Sequence, residues 1–178
     1  MQPSLPSWDL FITLFFIIGL AYGFILQREK IVATLMSVYA ALVVSQMLVD
    51  PVGQFFKGDK TLFNQIWIRS DTQPFTIHLV LFTAIIVLLS AKGGLGSARG
   101  RGVVSHVEVF VYSILNTALI VTSIFSFLPE PTRDAYAAGS KLVSFLITHN
   151  TYWLLLPVFA LIFFGFQRHP RRSSEYDD

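Results

Sequence analysis

The chain has no cysteine and carries few charges. Without a thiol there is no thiolate nucleophile, no thiolate metal site and no disulfide framework. Charged residues make up 13% of the sequence, where soluble domains have roughly a quarter. That disfavours a soluble core of this size. The formal net charge of +2 is too small to hold a polyanion, which argues against nucleic acid as a partner. The lead Met1–Ser7 has no Lys or Arg, so the basic n-region of a cleaved signal peptide is missing.

What the chain does have is long apolar runs with the charges collected between them. That is the pattern of a polytopic membrane protein. The expected fold class is all-α, an integral membrane helical bundle. Four to five transmembrane helices are expected, with amphipathic helices in the interface. The runs place the spans at 10–26, 31–49, 75–91, 109–128 and 152–166. Residues 1–166 then form the membrane domain and 167–178 a polar cytoplasmic tail.

Local signals set the ends. Ser7 is placed to cap the first helix, with Trp8 at headgroup level and Asp9 near the positive end of the helix dipole. A straight helix over Leu10–Val49 would be about 60 Å long, twice the hydrocarbon thickness. Because Arg28, Glu29 and Lys30 must reach headgroups or water, the chain is expected to turn there as a helical hairpin. Asp50-Pro51 is expected to stop the second arm. Leu62, Phe63, Ile66 and Trp67 share one helical face, which suggests a short interfacial helix. Asp71 or Thr72 is expected to cap the third span, with Pro74 in its first turn. Lys92–Gly102 is a glycine-rich basic loop without the Gly-Lys-Ser/Thr ending of a phosphate cradle. Ser105 and Glu108 have capping-box spacing at the start of the fourth span. After Pro129-Glu130-Pro131, Thr132 is expected to cap an amphipathic interfacial helix. Its apolar face is Ala135, Ala138, Leu142, Phe145 and Leu146, with Arg133, Asp134, Lys141 and His149 toward water. Tyr152–Phe166 is short and expected to be broken by Pro157. It crosses only by tilting, by thinning the bilayer or by borrowing part of the preceding helix.

The candidate functional residues are mostly packing residues. Gly19 and Gly23 are four apart on the first arm, and Ala33, Ser37, Ala41 and Ser45 form a stripe of the same spacing on the second. Small residues in this register let helix backbones approach closely in lipid. The two faces are expected to pack on each other, with a self-association interface as the alternative. Asn116, near the middle of the fourth span, is expected to face the bundle, as inter-helix glue or, alternatively, in a pore. No paired acids, nucleophile and base, or His/Asp/Glu metal set stands at mid-depth, so the reading is a non-enzyme with no cofactor and no metal. An enzyme acting on lipid-linked substrates would have to use Arg28, Glu29 or Glu108.

Orientation follows from the basic residues. With five spans, Arg28, Lys30, Lys92, Arg99, Arg101, Arg168, Arg171 and Arg172 fall on one side, crowded against span ends. Lys57, Lys60, Arg69, Arg133 and Lys141 fall on the other, in segments that also carry acids. The positive-inside rule then puts the N-terminus outside and the C-terminus in the cytoplasm of an inner (plasma) membrane protein.

Trp8-Asp9, Gly19, Gly23-Phe24 and the Arg28-Glu29 turn follow one another across the first hairpin. In this the stretch Trp8–Ser45 resembles the colicin V production protein family of small bacterial inner-membrane proteins. The family opens with an aromatic-Asp pair, a span ending in G-x-x-x-G-F, an Arg-Glu turn and a second span. Ser113 and Asn116 stand where that family tends to have glycines, and Tyr152–Phe166 is additional to its usual four spans. The resemblance implies a part in the production or export of a toxin-like peptide, or in envelope homeostasis. It implies no catalytic residues. Partners on this reading are the lipid bilayer and other membrane proteins or a second copy of the chain.

Overall fold

The computed structural model describes residues 7–56, 73–92 and 106–166. These residues form an all-α membrane bundle of six helices: α1 (Trp8–Phe56), α2 (Pro74–Lys92), α3 (His106–Phe127), α4 (Glu130–Gly139), α5 (Lys141–Thr148) and α6 (Asn150–Phe166). Four segments are long and apolar enough to cross a membrane: Trp8–Ile25 and Lys30–Phe55 within α1, then α2 and α3. A fifth is available if α5 and α6, bent by 67°, make one crossing.

Helix α1 runs for 49 residues without a non-helical residue, yet it is not straight. As a rod it would be about 74 Å long. Ile12 instead packs beside Phe125 at the C-terminal end of α3. Gly53 lies against Ile77, whose neighbour His78 stacks on Phe127 at 4.7 Å. Both ends of α1 therefore reach the same end of α3. At the other end, Ile31 Cδ1 comes within 2.6 Å of where a Gly23 Cβ would sit. On a straight helix, backbone positions eight residues apart are about 12 Å apart. The two arms thus form the expected hairpin, abutting directly at its tip. The first arm runs antiparallel to α3 and the second parallel to it.

The core is built around α3. Tyr112 and Leu119 pack with Ile31, Leu35, Val38, Ala41 and Leu42 of the second arm and with Phe82 of α2. Val121 and Phe125 pack with Ile12 and with Val143 and Leu146 of α5. Helix α6 returns along α3, with the Tyr112 hydroxyl donating to the Ala160 carbonyl at 3.3 Å and the Tyr112 ring against Phe164. Since α5 starts beside Asp9 at the Phe127 end, α5 and α6 together traverse the bundle. By length and composition the pair is one broken crossing or a re-entrant loop.

Several expected boundaries move. Helix α1 continues through Pro51 to Phe56 rather than stopping there. The carbonyl freed by Pro51 lies at a span end, where water and headgroups can satisfy it. Pro157 does not break α6 either, and the break falls at His149. The Tyr39 hydroxyl donates to the Leu154 carbonyl at 2.5 Å, next to the turn that Pro157 disturbs. The carbonyl that Pro157 itself frees is that of Trp153, one residue earlier. The single amphipathic helix expected after Pro131 is two helices, because Ser140 is extended. Helix α4 starts at Glu130 behind Pro129, so Thr132 lies inside it instead of capping it. The buried side chains of α5 are Val143 and Leu146, while Ala135, Ala138, Leu142 and Phe145 are exposed. Arg133 is half-buried beside Asp134, at 3.9 Å. The start of α2 is as expected, with Pro74 its first residue, and Gln73 accepts the first backbone bonds. Ser7 does cap α1, accepting from Leu10 N–H at 3.3 Å. The expected interfacial helix around Leu62–Trp67, the caps Asp71, Thr72 and Ser105, the loop Lys92–Gly102 and the tail 167–178 lie outside the described residues.

Candidate functional site: a glycine-hydroxyl seam and an aspartate clasp

The first arm meets α3 without side chains between them. A Cβ on Gly19 would fall on Thr117 Oγ1, with Thr117 Cγ2 at 3.0 Å and Cβ at 3.1 Å. A Cβ on Gly23 would fall on Ser113 Oγ, with Ser113 Cβ at 2.7 Å. The glycine pair therefore seats a second pair of the same spacing, Ser113 and Thr117, on α3. This corrects the expectation that Gly19 and Gly23 pack on the Ala33–Ser45 stripe. The glycine face also touches the second arm where Gly23 approaches Ile31. The closeness is possible because the α3 hydroxyls are turned along their own helix. Ser113 donates to Val109 O at 2.6 Å and Thr117 to Ser113 O at 2.8 Å. A hydroxyl used this way is satisfied within its own helix and leaves no unmet donor in lipid.

The stripe on the second arm is buried for most of its length. Ser37, Ala41 and Ser45 are buried and Ala33 is half-buried. Ala41 belongs to the cluster that holds Tyr112 and Leu119. Ser37 donates to Ala33 O at 2.9 Å and Ser45 to Leu42 O at 3.1 Å. The stripe thus serves the core around α3 rather than the glycine pair.

Asn116 is 7% exposed, inside the bundle as expected. At about 100° per residue it lies between the Tyr112–Leu119 face toward the second arm and the Ser113–Thr117 face toward the first. Its Oδ1 is buried and accepts no hydrogen bond, so the glue reading lacks the bond it needs on that atom. Arg28 and Glu29 are at the hairpin tip, in a part of α1 whose side chains lie outside the described residues. Glu108 is in the first turn of α3, half-buried and with an interaction of its own. Among the described residues no three His, Asp or Glu side chains gather as metal ligands.

A second constellation was not expected. Asp9 Oδ1 accepts from the Ser140 hydroxyl at 2.6 Å and from Leu142 N–H at 3.0 Å. Ser140 Oγ in turn accepts from Val143 N–H at 3.1 Å. Two side chains more than a hundred residues apart in sequence thereby cap the first turn of α5. Trp8 closes the clasp by packing on Tyr136 of α4, with ring centroids 4.6 Å apart. The Trp8-Asp9 pair therefore holds α4 and α5 to the start of α1. The sequence signal was Ser140, a good N-cap residue inside a stretch that also read as one continuous amphipathic helix.

Together these features are a packing apparatus with one orphaned carbonyl oxygen and one polar clasp at the membrane edge. No family model, curated protein or solved structure matches the chain.

Proposed function

We propose that this is a non-enzymatic inner-membrane protein that supports production or export of a toxin-like peptide, or envelope homeostasis, through contacts with other membrane proteins. The reading is the one implied by the resemblance of Trp8–Ser45 to the colicin V production family. The observation that carries it is that the quoted positions do joint work: Trp8-Asp9 clasps α4 and α5, and Gly19 and Gly23 seat α3. Such a role asks for a rigid bundle with an intact periphery rather than for reactive groups. The N-terminus is assigned to the outside and the C-terminus to the cytoplasm by the positive-inside rule.

Cross-linking in native membranes followed by mass spectrometry tests the proposal. Secretion or envelope components recovered with the chain are the expected result, and cross-links to nothing above background would sink it. A reporter fused after Asp178 should report from the cytoplasm, and an extracytoplasmic signal would overturn the orientation.

A second reading, a small homo-oligomeric channel, rests on the unmet Asn116 Oδ1. Gly19 and Gly23, which such a channel would also need to line or gate its pore, are occupied by α3. Bilayer recordings silent across voltage and tension would remove it.

A further inference from the structure

We propose that the groove between α4 and α5 binds the headgroup of a zwitterionic phospholipid, with ethanolamine phospholipid as the best fit. The inference goes beyond the proposed function and rests only on the membrane character of the bundle.

The groove has a volume of about 650 Å³, with Ala137–Gly139 of α4 as one wall and α5 as the other. Lys141, Ser144 and Thr148 line it from α5, three and then four residues apart, and so project from one helical face. They offer an ammonium and two hydroxyls to a phosphate. The α5 N-terminus is not the anion site, because Leu142 and Val143 N–H are already taken by Asp9 and Ser140. Asp9 lies at the head of the groove, its Oδ1 accepting from Ser140 and Leu142. His149 lies at the far end, its Nδ1 on the Phe145 carbonyl at 3.0 Å.

Level and charge choose the ligand. Trp8 and Tyr136 stack beside the groove at the start of the first span, and aromatic residues with a polar tip belong at headgroup depth. A groove at that depth meets lipid headgroups before any soluble phosphate. A purely anionic headgroup would meet the Asp9 carboxylate. A headgroup with both signs can place its phosphate on Lys141, Ser144 and Thr148 and its ammonium toward Asp9.

The test uses the full chain, purified in mild detergent, with retained phospholipid counted by mass spectrometry. Thermal unfolding is followed in nanodiscs of phosphatidylcholine alone or with added phosphatidylethanolamine or phosphatidylglycerol. Phosphatidylethanolamine should be retained over phosphatidylglycerol and should raise the melting temperature more. Lys141→Glu should lower its retention about tenfold, the effect of losing a charge-assisted contact. Ala138→Trp, which fills the groove from the α4 wall, should act in the same direction. Lys30→Glu, at the opposite end of the bundle, should retain lipid as the wild type does. Circular dichroism of both groove variants separates lost binding from lost folding. Equal retention by folded variants would overturn the proposal, as would a preference for phosphatidylglycerol. So would a shift of the same size from inorganic phosphate alone, which would make the groove a free-phosphate site.

Discussion

Helices α2 and α3 are both apolar enough to cross a bilayer, and the more apolar one is the less buried. Only 11% of the α2 span lies inside the bundle, against 67% of α3. In water the ranking would be reversed. In lipid the surroundings are as apolar as leucine, so hydrophobicity does not decide which helix goes inside. What decides is how closely backbones can approach and whether polar groups can be satisfied. Helix α3 brings Ser113, Thr117, Thr122 and Ser123, each donating to a carbonyl one turn back. Those four hydroxyls are therefore satisfied within the helix itself. Helix α2 shows Val80, Val87 and Leu88 to the outside.

The contrast can be broken most directly at Gly23. Gly23→Leu puts a branched side chain where Ser113 and Ile31 already sit, so stability in detergent should fall by about 1–3 kcal/mol through overpacking. Disulfide trapping between introduced cysteines on the first arm and α3 should weaken in parallel. Unchanged stability and trapping would mean that the seam does not hold these helices together.

Asn116→Leu should move the other way. It replaces a buried, unmet acceptor by an apolar group of similar size, and the melting temperature should rise by the equivalent of about 1 kcal/mol. A fall would show that Oδ1 has a partner in the membrane. Ser140→Ala removes the N-cap of α5 and should cost about 1 kcal/mol, read as faster hydrogen exchange in α5 ahead of the rest of the bundle. The smallest effect is expected on the lipid face of α2. Val87→Ala should change stability by less than about 0.5 kcal/mol, and a larger loss would mean that this face is covered by a partner.

Much of the bundle was legible along the chain. The hairpin followed from three adjacent charges between two apolar runs, since Arg28, Glu29 and Lys30 cannot stay in hydrocarbon. The inward position of Asn116 followed from the cost of an amide facing lipid. Prolines misled in two places. Pro51 and Pro157 were expected to stop or break helices and do neither. The clasp was hidden because Asp9 already had a local explanation at its own helix start.

The sequence by itself determined that the chain is an all-α membrane bundle and where its first two arms turn, because hydropathy, charge and chain length act locally. It could not determine which small faces meet. Ser37 and Ala41 have the same four-residue spacing as Ser113 and Thr117, and either pair could seat Gly19 and Gly23. The choice depends on how each arm is rotated about its axis once α3, α5 and α6 are packed around it. That rotation brought the glycines to α3, left the second stripe to the core and carried Asp9 to the head of α5, and only the tertiary structure decided it.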